Sequence, residues 1–137
     1  MCGLAGLMTR HDAPDGRALA RMEDALAHRG PDGTGGHRAG PTGLVHTRLA
    51  IIDLATGDQP LRDDTGRALV ANGEIYNFVE LRARMGEARF KTHSDCEPPL
   101  LLIGETGTAF ADGLRGMYAI AACEADGTKV YLARDPF

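Results

Sequence analysis

Apolar residues fall along this chain in short runs separated by turn-forming residues, a rhythm of strands with helices set between them. Leu4 to Met8 reads as a first buried strand. From Asp15 to His28 the period lengthens: Leu19, Met22 and Leu26 lie three and four apart, one face of a helix. Arg29-Gly30-Pro31-Asp32-Gly33 closes it with turn chemistry. A strand is expected from Gly43 to His46, with Leu49 to Leu54 extended after it, then a loop over Ala55 to Pro60. Arg67 to Ala71 predicts a strand running into Asn72-Gly73, a dipeptide whose default reading is a hairpin turn.

Helical spacing returns from Ile75 to Met85, with Leu81 and Met85 four apart, and a short strand is expected at Phe90 to Thr92. Ser94-Asp95-Cys96-Glu97 has the form of a capping box, Ser94 facing the amide of Glu97 and Glu97 reaching back. Pro98 and Pro99 then fit only a first helical turn, ahead of the apolar face Leu100 to Ile103. Gly116 to Ala122 and Lys129 to Ala133 are apolar and β-prone, joined through the turn at Asp126-Gly127. No repeat, low-complexity tract or linker interrupts the series. The expected architecture is a pair of sheets covered by helical layers, in one domain of 137 residues.

Composition narrows the functions. Charged residues are 25% of the chain, the net charge is −4, and aromatics are 5%, so the basic, aromatic-laced footprint of a nucleic-acid binder is missing. No apolar run approaches the roughly 20 residues that cross a bilayer, and no signal-peptide pattern opens the chain; a cytoplasmic protein is expected. Three cysteines at irregular spacing do not form a disulfide framework. Cys123 reads as a small buried hydrophobe and Cys96 as a structural residue at a helix start. No metal site is assigned, because neither C-x-x-C nor paired histidines support one.

Cys2 is the residue with chemistry of its own. Removal of Met1 would leave it with a free α-amine, which titrates near ~7.7–8.0. A free thiol titrates near ~8.5, so the two groups can exchange a proton around neutral pH. An N-terminal nucleophile activated by its own amine is one reading; a residue that merely precedes a strand is the other. Likewise Arg48 is either a surface strand residue or a carboxylate-binding fork, and Asp95 a helix cap or an ammonium partner.

Four stretches, taken in order, match one family: Met1-Cys2-Gly3, His28-Arg29-Gly30-Pro31-Asp32-Gly33, His46-Thr47-Arg48-Leu49-Ala50-Ile51-Ile52-Asp53 and Asn72-Gly73-Glu74-Ile75-Tyr76-Asn77. Ser94 to Glu97 and Ala133 to Phe137 follow in the expected sequence. Over essentially all its length the chain resembles the N-terminal glutaminase domain (class II glutamine amidotransferase) of glutamine-hydrolysing asparagine synthetases. The resemblance implies an α+β fold, the four-layer αββα sandwich of the N-terminal nucleophile (Ntn) hydrolases, with two antiparallel sheets. It implies hydrolysis of L-glutamine through a thioester on Cys2, with Asn72 and Gly73 as the oxyanion hole. By the same resemblance Arg48 holds the substrate α-carboxylate and Asp95 its α-ammonium, while Leu49, Ala50, Ile51, Ile52, Asn72, Gly73 and Glu74 complete the glutamine pocket. His28 to Asp32 reads as a supporting turn.

No cofactor is implied for residues 1–137 themselves; Mg-ATP belongs to a synthetase domain that receives the ammonia, and a homodimer is implied for the full-length enzyme. The end at Arg134-Asp135-Pro136-Phe137, directly after a strand, reads as a truncation that leaves the fold C-terminally incomplete and the synthetase domain absent. Pro98-Pro99 departs from the aliphatic residues usual in the family. Other branch members, of β-lactam synthetase or N-acetylglutaminylglutamine amidotransferase type, share these motifs, and a non-catalytic fragment is a rival of a different class.

Overall fold

Two antiparallel sheets face one another between helices in a computed structural model that describes residues 2–137. Met1, and with it the amine its removal would free, lies outside the described residues. The first sheet has three strands in the order β1 (Gly3–Met8), β3 (Thr42–Arg48), β2 (Gly33–Ala39). The second has four, β4 (Leu61–Arg62), β5 (Ala68–Ile75), β6 (Gly116–Cys123) and β7 (Val130–Arg134), in sequence order. Helix α1 (Gly16–Leu26) packs on β1 and β3. Helices α2 (Phe78–Met85) and α3 (Glu97–Thr106) cover the far face of the second sheet, giving the layers α, β, β, α.

Strand alternation sorts the cores. Leu69, Ala71 and Ile75 point to α2 and α3, where they meet Leu81, Met85, Leu100 and Ile103. Ala68 and Val70 point the other way and pack with Leu44, Ala121 and Cys123 between the sheets. Burying a leucine of this kind stabilises the fold by roughly 1.5–3 kcal/mol. Cys123 is fully buried, as its run implied. Helix α1 is capped by Asp15, whose carboxylate accepts the Arg17 N–H at 2.9 Å, and it buries Leu19 against the first sheet. In α3 the prolines occupy the first turn, where a missing N–H costs no helical bond.

Several expectations are corrected. β1 is half-buried, not buried, because it is an edge strand. β2 was not expected: Gly-Thr-Gly-Gly-His-Arg-Ala has no apolar alternation and is a strand because β3 pairs with it from Gly33 to Ala39. Leu49 to Leu54 is a loop, with Asp53 at a positive φ of 51°. Asn72-Gly73 is no turn; both lie inside β5, opposite Ala119 and Tyr118. Ile75 ends that strand, so the helix begins only at Phe78. Phe90 to Thr92 forms no strand. The capping box is absent: the Glu97 carboxylate instead accepts the Lys91 and Thr92 N–H groups at 2.8 and 2.9 Å, and the Thr92 hydroxyl.

Candidate active site

The alternation that builds the inter-sheet core also aims the polar residues. On β3, Leu44 faces the second sheet, and so therefore do His46 and Arg48. On β5, Ala68 and Val70 face the first sheet, and Asn72 and Glu74 continue that row. On the first strand Leu4 faces inward, and Cys2 lies two residues before it. At the end of the layer the apolar row gives way to one cavity of about 90 Å³. It is lined by Cys2, Arg48, Leu49, Ile51, Ile52, Asn72, Gly73, Glu74 and Asp95, with Gln59, Cys96 and Met117 among its other walls. Of the residues singled out in the sequence, Ala50 alone is missing from this lining; its N–H donates to the Asp32 carboxylate at 2.8 Å.

Cys2 is held at the cavity by one backbone and one side-chain donor. The Leu49 N–H donates to Cys2 Sγ at 3.3 Å, and the Arg29 Nε–H donates to the Cys2 carbonyl at 3.1 Å. The turn after α1 is pressed against β3: a Cβ on Gly30 would meet the Thr47 carbonyl carbon at 2.3 Å and Arg48 N at 2.4 Å. Only glycine permits that approach. The turn supports the cavity, as expected, and Asp32 N donates to the Arg48 carbonyl at 2.9 Å.

The orientation of Gly73 follows from its neighbours. In an antiparallel ladder one residue's N–H and C=O point to the same side, and successive residues alternate. The Ala71 N–H goes to Gln59 Oε1 at 2.6 Å and the Ile75 N–H to Asp95 Oδ2 at 2.7 Å, both away from β6. Gly73 lies between them and turns the same way, while its partner Tyr118 bonds to Asp135 on the opposite side. The Gly73 carbonyl accepts from Cys96 Sγ at 3.9 Å. Its N–H is left facing the cavity, beside the Asn72 side chain.

Arg48 is buried and already bonded. Its Nη1 donates to Asp58 Oδ1 at 2.7 Å, and its Nη2 to the Ile52 and Asp53 carbonyls. Asp58 is 85% exposed in its side chain, so an incoming carboxylate meets a weak competitor there. Asp95 is buried at the start of α3, and burial raises its carboxyl above the usual range, against the Ile75 N–H that lowers it. Burial first, then the Asp95 charge, push the Cys96 thiol well up. Cys96 and Gln59 carried no sequence signal of a site role, since their approach depends on the fold. Among the described residues no group of three or more His, Cys, Asp or Glu side chains could hold a metal ion, and no helix is long and apolar enough to cross a membrane.

The chain's likeness to known proteins agrees with this geometry. A family profile described as a glutamine amidotransferase domain matches residues 1–137. The chain is 41% identical over 142 residues to asparagine synthetase 2 (glutamine-hydrolyzing) of Bacillus subtilis, covering 100% of this chain and 19% of that protein. It is 43% identical to a probable asparagine synthetase (glutamine-hydrolyzing) of Schizosaccharomyces pombe, covering 99% of this chain and 25% of that one. The chain thus spans about a fifth to a quarter of these relatives' length. Among solved structures, glutamine phosphoribosylpyrophosphate amidotransferase from B. subtilis superposes with a TM-score of 0.75 at 21% identity, over 99% of this chain and 37% of that one. The likeness shows the fold, the αββα sandwich of two antiparallel sheets that the family resemblance implied.

Proposed function

The chain belongs to the glutamine amidotransferase domain family, in company with glutamine-hydrolysing asparagine synthetases, and from that membership we propose that its cavity cleaves the side-chain amide of L-glutamine to glutamate and ammonia. One observation carries the reading: a thiol, two neutral hydrogen-bond donors, a guanidinium and a carboxylate, drawn from four separate segments, converge on a single small cavity.

The Cys2 sulfur attacks the amide carbon after its proton passes to the α-amine freed by loss of Met1. The carbonyl oxygen takes the negative charge and is met by the Asn72 carboxamide and the Gly73 N–H. Losing one such donor raises the barrier by about 2.7–4 kcal/mol. The amine returns its proton to the departing nitrogen, ammonia leaves, and a glutamyl thioester remains on Cys2. Water then adds to the thioester carbon, and glutamate departs as the sulfur recovers its proton. Arg48 exchanges Asp58 for the substrate α-carboxylate, whose two oxygens match the guanidinium fork. Asp95, ionised, takes the α-ammonium. Leu49, Ile51, Ile52 and Glu74 shape the remaining wall.

For the protein that carries this domain we propose that the ammonia is used in ATP-dependent synthesis of asparagine from aspartate by a synthetase domain with its own Mg-ATP, the relatives being named glutamine-hydrolyzing asparagine synthetases. A cytoplasmic setting and a homodimer belong to the same proposal. The test is glutamate release from glutamine by the complete protein. Cys2→Ala is expected to abolish it, as is any extension that keeps the α-amine blocked, and Arg48→Lys is expected to raise KM for glutamine with kcat little changed. Full activity with Met1 retained would sink the role given to the amine.

A further inference from the structure

Beyond the last β4–β5 pair, at Leu61 and Leu69, the free edge of β5 reaches the cavity across one residue, Ala71. Among the described residues no strand pairs with its outward peptide groups, and an unpaired buried peptide is costly. Two side chains replace the strand. Gln59 Oε1 accepts the Ala71 N–H at 2.6 Å, and His46 Nε2 donates to the Ala71 carbonyl at 3.1 Å. Asn72 is the next residue, and Gly73 is the next to face the same edge.

His46 is an expensive way to meet a carbonyl. It is 1% exposed, and its Nδ1 is buried with no partner among the described residues. Burial lowers its pKa to about 4, so the ring is neutral with its proton on Nε2 and an unsatisfied lone pair on Nδ1. An aliphatic residue would fill the inter-sheet layer without that penalty. What it could not do is hold the peptide that precedes the two oxyanion donors. Gln59 also lines the cavity, and its Oε1 is committed to Ala71.

We propose that Gln59, backed by His46, is a positioning residue for glutamine hydrolysis: the pair clamps the Ala71 peptide and so fixes the Asn72 carboxamide and the Gly73 N–H where the oxyanion forms. The proposal rests on the amide-hydrolysis reading above. Preorganised donors lose their effect when they must first be ordered, so the clamp acts on kcat and leaves substrate binding to Arg48 and Asp95.

The experiment uses the complete protein with Gln59→Leu, which accepts no hydrogen bond, Gln59→Met, whose thioether is only a weak acceptor, and Gln59→Glu, which keeps an oxygen acceptor. Glutamine hydrolysis is resolved into kcat and KM, and hydrogen exchange of the Ala71 and Leu69 amides is followed in parallel. Gln59→Leu and Gln59→Met are expected to lower kcat about 10- to 100-fold. KM should stay within about threefold of the parent value. Ala71 exchange should rise while Leu69, bonded to β4, keeps its protection. Gln59→Glu is expected to restore most of kcat. His46→Phe should lower kcat in the same direction, and pairing it with Gln59→Leu should add little, because both act on one peptide. Parent kcat in Gln59→Leu and Gln59→Met overturns the clamp, and so does a fall in kcat with Ala71 exchange unchanged. A rise in KM at constant kcat overturns it in favour of direct contact between Gln59 and substrate. A parent protein inactive on glutamine overturns the reaction itself, a result distinct from an active parent with equally active variants.

Discussion

The two halves of β5 share one ladder and little else. Ala68, Leu69, Val70 and Ala71 are at most 1% exposed and divide between the two apolar cores. Asn72, Gly73 and Glu74 are polar or bare, half-buried, and line the cavity. Pairing with β6 nevertheless runs unbroken from Ala68–Cys123 to Ile75–Gly116. The first half is packed on both faces and anchors the strand; the second is carried out over the cavity by the ladder and by bonds from its outer edge to Cys96 and Asp95. Rigid donors beside an open space require such a division, since packing would fill the site and a loop would loosen it.

A second contrast lies two positions apart on the other wall. Glu97 and Asp95 are both buried carboxylates. Glu97 is saturated by two backbone N–H groups and a hydroxyl from Lys91 and Thr92, and it organises the chain ahead of α3. Asp95 accepts the Ile75 N–H and faces the cavity with its carboxyl raised by burial. A satisfied buried charge belongs to the fold, and an under-satisfied one beside a cavity is poised for a ligand.

The largest effect is expected from breaking the second half of β5 with a single methyl. A Cβ on Gly73, at φ 152°, would meet the Met117 carbonyl oxygen at 2.1 Å and Tyr118 Cα at 2.5 Å. Both are backbone and cannot step aside, so Gly73→Ala should cost about 3 kcal/mol of stability in a urea melt and erase measurable glutaminase activity. Retained activity would mean that the ladder yields where it is taken to be rigid. Leu69→Ala, in the first half, should cost about 2–5 kcal/mol yet leave the kcat of the folded protein near that of the parent. A large loss of kcat there would erase the distinction between the halves.

Asp95→Asn sharpens the carboxylate contrast. Removing a charge that burial disfavours should leave the protein at least as stable at neutral pH, while KM for glutamine rises about tenfold, or 1.4 kcal/mol. Unchanged KM would remove Asp95 from substrate recognition. The smallest effect at neutral pH concerns His46. Its folded pKa, about 4, lies below the ordinary 6.5, so the unfolded chain binds a proton first as pH falls. Stability is therefore complete above pH 6.5 and declines toward about 4 with a slope approaching 1.4 kcal/mol per pH unit. His46→Gln should remove that part of the slope in urea melts across the window; an identical slope would show that the ring is not held neutral.

Much of the site was legible because its residues belong to rigid, strongly patterned segments. Cys2, Arg48, Asn72, Gly73 and Asp95 were all named from motifs, and all line one cavity. Helix α1, the start of α3 and the β6–β7 hairpin followed from spacing and turn residues. β2 was not legible, because three of its seven residues are glycine and its partner β3 alone makes it a strand. Asn72-Gly73 suggested a turn, since a dipeptide cannot reveal that Ala119 and Tyr118 will pair with it. Ser94 to Glu97 suggested a capping box for a similar reason: Glu97 had nearer donors in Lys91 and Thr92 than in its own helix.

By itself the order of amino acids determined which residue types were available and, through the two-residue period of its strands, which of them would share a face. It could not determine how the free edge of β5 would be closed. Gln59 lies 12 positions from Ala71 and His46 lies 25, and neither bond leaves a periodic trace. Only the stacking of one sheet on the other decided that these two side chains would stand in for a strand, because a buried peptide must be satisfied by whatever the packed chain brings within reach.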